Sequence, residues 1–118
     1  MALIHPTQDT FDTQVRQAQR PVLVDFSANW CPPCQALKPV LTQLADELDG
    51  RVDVAVIDVD QEPGLASDFS ISSIPALRLI VDGHVVAERA GFADRRELTQ
   101  WIDDHAAAPP RRRAAAPQ

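Results

Sequence analysis

The sequence predicts an α/β domain with a central mixed sheet of about five strands flanked by about four helices, and three observations carry that prediction. Val22-Leu23-Val24-Asp25-Phe26 is apolar on both faces apart from one carboxylate, as expected of a central strand covered on both sides. Residues 52–59 form a second β-rich run, and the segment between the two carries a helical stripe, so the runs pair in parallel through a right-handed crossover. Residues 76–81 and 85–90 flank Asp82-Gly83-His84, a hairpin signal that adds an antiparallel edge.

The remaining elements follow in order. Residues 2–6 make at best a short leading strand. A helix starts near Asp9 or Thr10, sets Phe11 and Val15 one turn apart, and stops before Pro21. After the first central strand, Leu37, Val40, Leu41, Leu44 and Leu48 share one helical face, with Pro39 inside the helix and Gly50 at its end. A short helix follows Pro63, with Leu65 and Phe69 one turn apart. Asp94 and Glu97 stand at capping-box spacing and open a last helix whose Leu98, Trp101, Ile102 and His105 share a face. Residues 1–105 thus form one domain. Residues 106–118, rich in Ala, Pro and Arg and without apolar periodicity, read as a disordered tail.

Composition narrows the function. The net charge is −6, and the basic triplet Arg111-Arg112-Arg113 leaves the domain itself more acidic still, so nucleic acid is not an expected partner. No apolar stretch is long enough to span a membrane, and no signal peptide is recognisable at the N-terminus, so a cytoplasmic location is expected. Ten arginines against the single Lys38, with abundant alanine, point to a GC-rich bacterial genome.

The two cysteines stand together in Trp30-Cys31-Pro32-Pro33-Cys34, immediately after the first central strand. A helix beginning at Cys31 places that sulfur beside unpaired N–H groups and the positive end of the helix dipole, which stabilise a thiolate. Pro32 and Pro33 suit the first turn, where a missing N–H breaks no helical bond. A purely structural disulfide over so short a loop removes little chain entropy. A zinc site needs about four ligands, and His5, His84 and His105 do not stand at ligand spacing from the cysteines. Redox chemistry is the favoured use of the pair over stapling or metal binding.

These motifs in this order resemble the thioredoxin family over nearly all of residues 3–105: Val-Asp-Phe before the cysteines, Trp30-Cys31-x-Pro33-Cys34, Pro39, Asp58-Val59-Asp60, Ile74-Pro75, Asp82-Gly83 and Ala90-Gly91. The resemblance implies the thioredoxin fold and protein-disulfide reduction. It implies that Cys31 attacks a target disulfide, that Cys34 resolves the mixed disulfide, and that Asp25 relays protons for Cys34. It further implies a cis Pro75 beside the dithiol and a shallow groove for the target lined by Trp30, Pro33, Ile74, Pro75, Ala90 and Gly91. Electrons would come from an NADPH-dependent flavin thioredoxin reductase, disulfide-containing proteins would be the targets, and the chain would act as a monomer with neither metal nor cofactor of its own.

Four positions depart from the usual family pattern: Pro32 for glycine, Ser27 for a second tryptophan, Ala76 for threonine, and Val56 where many members place a lysine near the buried acid. Pro32 and Val56 touch redox poise and proton transfer. The readings left open are therefore a general disulfide reductase, a specialised dithiol carrier or a less reducing oxidase or isomerase, and a redox-linked binding or holdase protein. Pro33 before the second cysteine favours reduction over oxidation. Retention of Cys31, Cys34, Asp25 and Pro75 together disfavours a role in docking alone.

Overall fold

A computed structural model describes residues 3–106. Strands β1 (Val22–Ser27), β2 (Asp53–Asp58), β3 (Ala76–Val81) and β4 (His84–Ala90) form one sheet in the order β2-β1-β3-β4. β1 pairs with β2 in parallel and with β3 antiparallel, and β3 pairs antiparallel with β4. Helices α1 (Pro32–Glu47), α2 (Pro63–Asp68) and α3 (Arg95–Ala106) complete the domain, together with a π-helical turn at Asp12–Arg16. Central placement explains why all six residues of β1 are buried, whereas the edge strand β4 is exposed or half-buried along its length.

Alternation along the strands divides the core in two. On one face Leu23, Val54, Val56, Leu77 and Leu79 meet Leu37, Leu41 and Leu44 of α1 and Leu98 and Ile102 of α3. On the other, Val22, Val24, Phe26, Ile57 and Ile80 meet Phe11, Val15 and Leu65. Burying side chains of this size stabilises by roughly 1.5–3 kcal/mol each, so both layers contribute substantially. Asp25, two residues after Leu23, takes the face covered by α1.

The sheet has four strands, not about five. Residue Ile4 makes an isolated parallel bridge to β2, donating to Val54 O at 3.0 Å and accepting from Val56 N at 2.9 Å. Pro6 lacks the N–H that continued pairing needs, so the expected leading strand stops at one residue. The helix expected to run up to Pro21 is also shorter and wider. Its bonding reaches from Gln17 N to Asp12 O at 2.8 Å, an i to i+5 pattern. Phe11 and Val15 are buried as their spacing predicts, but four residues apart fits either winding.

Other elements match their sequence signals. The hairpin turn places Asp82 and Gly83 at φ 53° and 80°, the paired positive values a tight two-residue turn requires. A Cβ on Gly83 would also lie 3.0 Å from the Arg16 carbonyl oxygen. Asp94 and Glu97 form the reciprocal cap, with Glu97 N donating to Asp94 Oδ1 at 2.8 Å and Asp94 N to Glu97 Oε1 at 3.3 Å. α3 includes Ala106, one residue past the expected domain limit, because its side chain still packs on the core. Residues 107–118, with the arginine triplet, lie outside the described residues.

Candidate active site

The first turn of α1 builds the site. Cys31 is the N-cap, in extended conformation, and Pro32 and Pro33 occupy the next two positions. Since neither proline carries an N–H, Cys34 supplies the first helical donor, and its N–H points at Cys31 Sγ at 3.3 Å. The Gln35 N–H is already used by the Cys31 carbonyl at 3.0 Å. The preceding turn is secured on the Ala28 carbonyl, which accepts from Cys31 N at 3.3 Å and from Gln35 Nε2 at 2.9 Å. Cys31 and Cys34 are joined as a disulfide, with their Cα atoms 5.2 Å apart. Cys34 is fully buried and Cys31 is 5% exposed, so the order of access is the one a helix start imposes.

The Ile74–Pro75 peptide bond is cis, and Cys31 Sγ lies 3.9 Å from the Ile74 carbonyl oxygen. Ile74 also packs against Ala28, Cys31 and Cys34. Gly91, at φ 88°, donates its N–H to the Pro75 carbonyl at 2.8 Å, and Ala90 pairs with Ala76 in the sheet. The structure therefore draws the cysteines, Ile74, Pro75, Ala90 and Gly91 to one end of the sheet. Pro33 is exposed on the first turn of α1. Trp30 is 68% exposed, and its indole N–H donates to Asp60 Oδ2 at 2.7 Å.

Asp25 is fully buried in β1, opposite Val56 of β2 and Leu77 of β3. Neither carboxylate oxygen has a hydrogen-bond partner among the described residues. Burial pushes its pKa from 3.8 to about 7, and the positive charge of Lys38 opposes part of that rise. The sequence identified the acid and the loss of a cation at Val56. It missed that α1 brings Lys38 to bear instead, although Lys38 stands four residues after Cys34 and thus on the same helical face. It also missed Asp60 as the anchor of Trp30 and the exposed Phe92 immediately after Gly91.

The comparisons with known proteins agree with this geometry. The thioredoxin family profile matches residues 2–104. Thioredoxin C-2 of Corynebacterium nephridii is 41% identical over 103 residues, covering 87% of this chain and 95% of that protein. The thioredoxin of Staphylococcus haemolyticus is 38% identical over 105 residues, covering 89% and 99% respectively. That of Chlorobaculum thiosulfatiphilum is 38% identical over 99 residues, covering 84% and 92%. With its disulfide at a helix start and near full-length agreement with these proteins, the chain belongs to the thioredoxin family of protein-disulfide oxidoreductases.

Proposed function

We propose that this protein reduces disulfides in target proteins by two successive exchanges, with Cys31 as the attacking group, Cys34 as the resolving group and Asp25 as the proton relay. The Cys31 thiolate attacks one sulfur of the target disulfide. That bond breaks, the second target sulfur leaves as a thiolate and takes a proton from solvent, and a Cys31–target disulfide forms. Cys34 then gives its thiol proton to the Asp25 carboxylate and attacks Cys31 Sγ. The mixed disulfide breaks, the remaining target sulfur leaves as a thiolate, and Cys31–Cys34 closes. Two electrons have passed to the target.

The observation that carries this reading is the placement of the pair. The Cys34 N–H is directed at Cys31 Sγ at 3.3 Å, where it favours a thiolate over a thiol. The target chain would lie in the groove of Trp30, Pro33, Ile74, Pro75, Ala90 and Gly91, beside the attacking sulfur. An NADPH-dependent flavin thioredoxin reductase would return two electrons to the disulfide. We place the protein in the cytoplasm as a monomer. Among the described residues no helix is long and apolar enough to cross a membrane.

The test is NADPH-coupled insulin reduction with a thioredoxin reductase, run beside a redox titration against glutathione. Steady turnover with a strongly reducing potential supports the reading. No turnover and a potential close to that of disulfide oxidases would assign the protein to oxidation or isomerisation instead. Inactivity in both directions, with suppression of client aggregation, would leave the holdase role.

A further inference from the structure

We propose that the pocket between the end of β1, the first two turns of α1 and the N-terminal segment is a second binding site, for a small zwitterion of amino-acid size. None of the six groove residues lines it, and the inference does not rest on the disulfide-reduction reading.

The pocket has a volume of about 250 Å³, just below the roughly 300–1,000 Å³ of sites that take drug-sized molecules. Pro6, Ser27, Ala28 and Val56 line it as buried residues, and His5 and Gln61 stand exposed at its rim. With serine where a second tryptophan is usual in the family, this wall carries little bulk. Ser27 is only 3% exposed, and its hydroxyl has no hydrogen-bond partner among the described residues. A buried hydroxyl left unpaired costs about 1–3 kcal/mol, so a polar group entering the pocket is favoured beside it. Water would satisfy the hydroxyl alone. The charged groups on the walls call for more than water.

Lys38 lines the pocket from α1, and Asp58 and Glu62 line it from the end of β2 and the turn that follows, where Glu62 N donates to the Asp58 carbonyl at 2.9 Å. One oxygen of each acid is held by the backbone. Asp58 Oδ1 accepts from Asp60 N at 2.8 Å and Gln61 N at 3.2 Å, and Glu62 Oε1 accepts from Gln8 N at 2.9 Å. No ion pair joins Lys38 to either acid among the described residues. Opposite charges thus share one small pocket without neutralising each other. A simple anion would face two carboxylates and a simple cation would face the ammonium, so neither matches the whole lining. A zwitterion does: its ammonium goes to Asp58 and Glu62, its carboxylate to Lys38 and the Ser27 hydroxyl, and a short apolar side chain covers Ala28 and Val56.

The test titrates the disulfide form of the full chain with three probes, followed by the backbone amide signals in NMR. L-valine carries both charges, isobutylamine lacks its carboxylate, and isovalerate lacks its ammonium. L-valine is expected to saturate with a Kd on the order of 1 mM or below, with shifts centred on Ser27, Ala28, Val56 and Glu62. Isobutylamine and isovalerate are each expected to bind at least about tenfold more weakly. Lys38→Met is expected to weaken L-valine and isovalerate but not isobutylamine, and Glu62→Gln to weaken L-valine and isobutylamine but not isovalerate. Ser27→Trp, which fills the space, is expected to abolish the L-valine shifts. Absence of saturable shifts at the pocket, equal binding of all three probes, or charge variants that affect the three alike overturns the proposal and leaves the pocket to water.

Discussion

Asp60 Oδ2 accepts the indole N–H of Trp30 at 2.7 Å across a separation of 30 residues in sequence. This bond fixes the orientation of a ring that is 68% exposed and so contributes little to the core. If a target chain docks beside Cys31 as proposed, this ordered exposed aromatic offers it a preformed apolar face. A net hydrogen bond of about 1 kcal/mol corresponds to roughly a fivefold change in an equilibrium. Asp60→Ala is therefore expected to raise KM for insulin about fivefold and leave kcat nearly unchanged, as steady-state kinetics will show. Its thermal midpoint is expected to stay close to wild type.

The cysteines differ in access, and Cys31 Sγ faces the N–H of Cys34 in the first turn of α1. Cys34→Ser is expected to accumulate covalent complexes with target proteins, because the mixed disulfide on Cys31 then has no internal resolving thiol. Cys31→Ser is expected to trap few. Non-reducing electrophoresis after incubation with a mixture of disulfide proteins gives the comparison, and equal trapping would reverse or erase the assigned roles.

The raised pKa of Asp25 makes stability depend on pH. The native state holds the Asp25 proton up to about 7, whereas the unfolded chain releases it near 3.8. The contribution is fully present below 3.8 and is lost as pH climbs to about 7, on the order of 4 kcal/mol in all. Asp25→Ala removes the ionisation and leaves a small cavity costing roughly 1–2 kcal/mol. Urea denaturation of the disulfide form is expected to show the variant less stable than wild type at pH 4 and more stable at pH 8. Its insulin reduction at neutral pH is expected to be at least about tenfold slower, given the usual worth of a positioned base.

Pro32 removes a backbone donor from the first turn of α1, where the Cys34 N–H stands alone toward Cys31 Sγ. Pro32→Gly adds an N–H at the positive end of the helix. Alkylation of Cys31 by iodoacetamide in the dithiol form is expected to shift to lower pH by about 0.5. A profile that stays in place would show that the added donor does not reach the sulfur.

The sequence was most readable where burial and local chemistry agree. β1 is apolar on both faces because it is central, α1 carries a stripe that faces one core layer, and Asp94 and Glu97 cap α3 as their spacing requires. It was least readable where packing chooses between locally equivalent windings, as at Phe11 and Val15, or where one proline truncates a pairing, as at Pro6. In the site, Cys31, Cys34, Asp25 and Pro75 stand out through residue type within a motif. Lys38 and Asp60 do not, because their importance depends on what lies across the fold. Helical spacing from Cys34 would have nominated Lys38. Nothing local ties Asp60 to a tryptophan 30 residues earlier.

The lone bridge at Ile4 covers part of the outer margin of the sheet. β2 is an outer strand of the sheet, with Val54, Ala55, Val56 and Ile57 buried and β-branched residues predominating. Ile4 occupies the outward-facing Val54 carbonyl and Val56 N–H of that margin. Without it those groups would form a template for strand addition from another chain. Ile4→Pro, which removes the N–H given to the Val54 carbonyl, is therefore expected to leave that margin more open to strand addition, read as concentration-dependent association by light scattering, with the redox pair untouched.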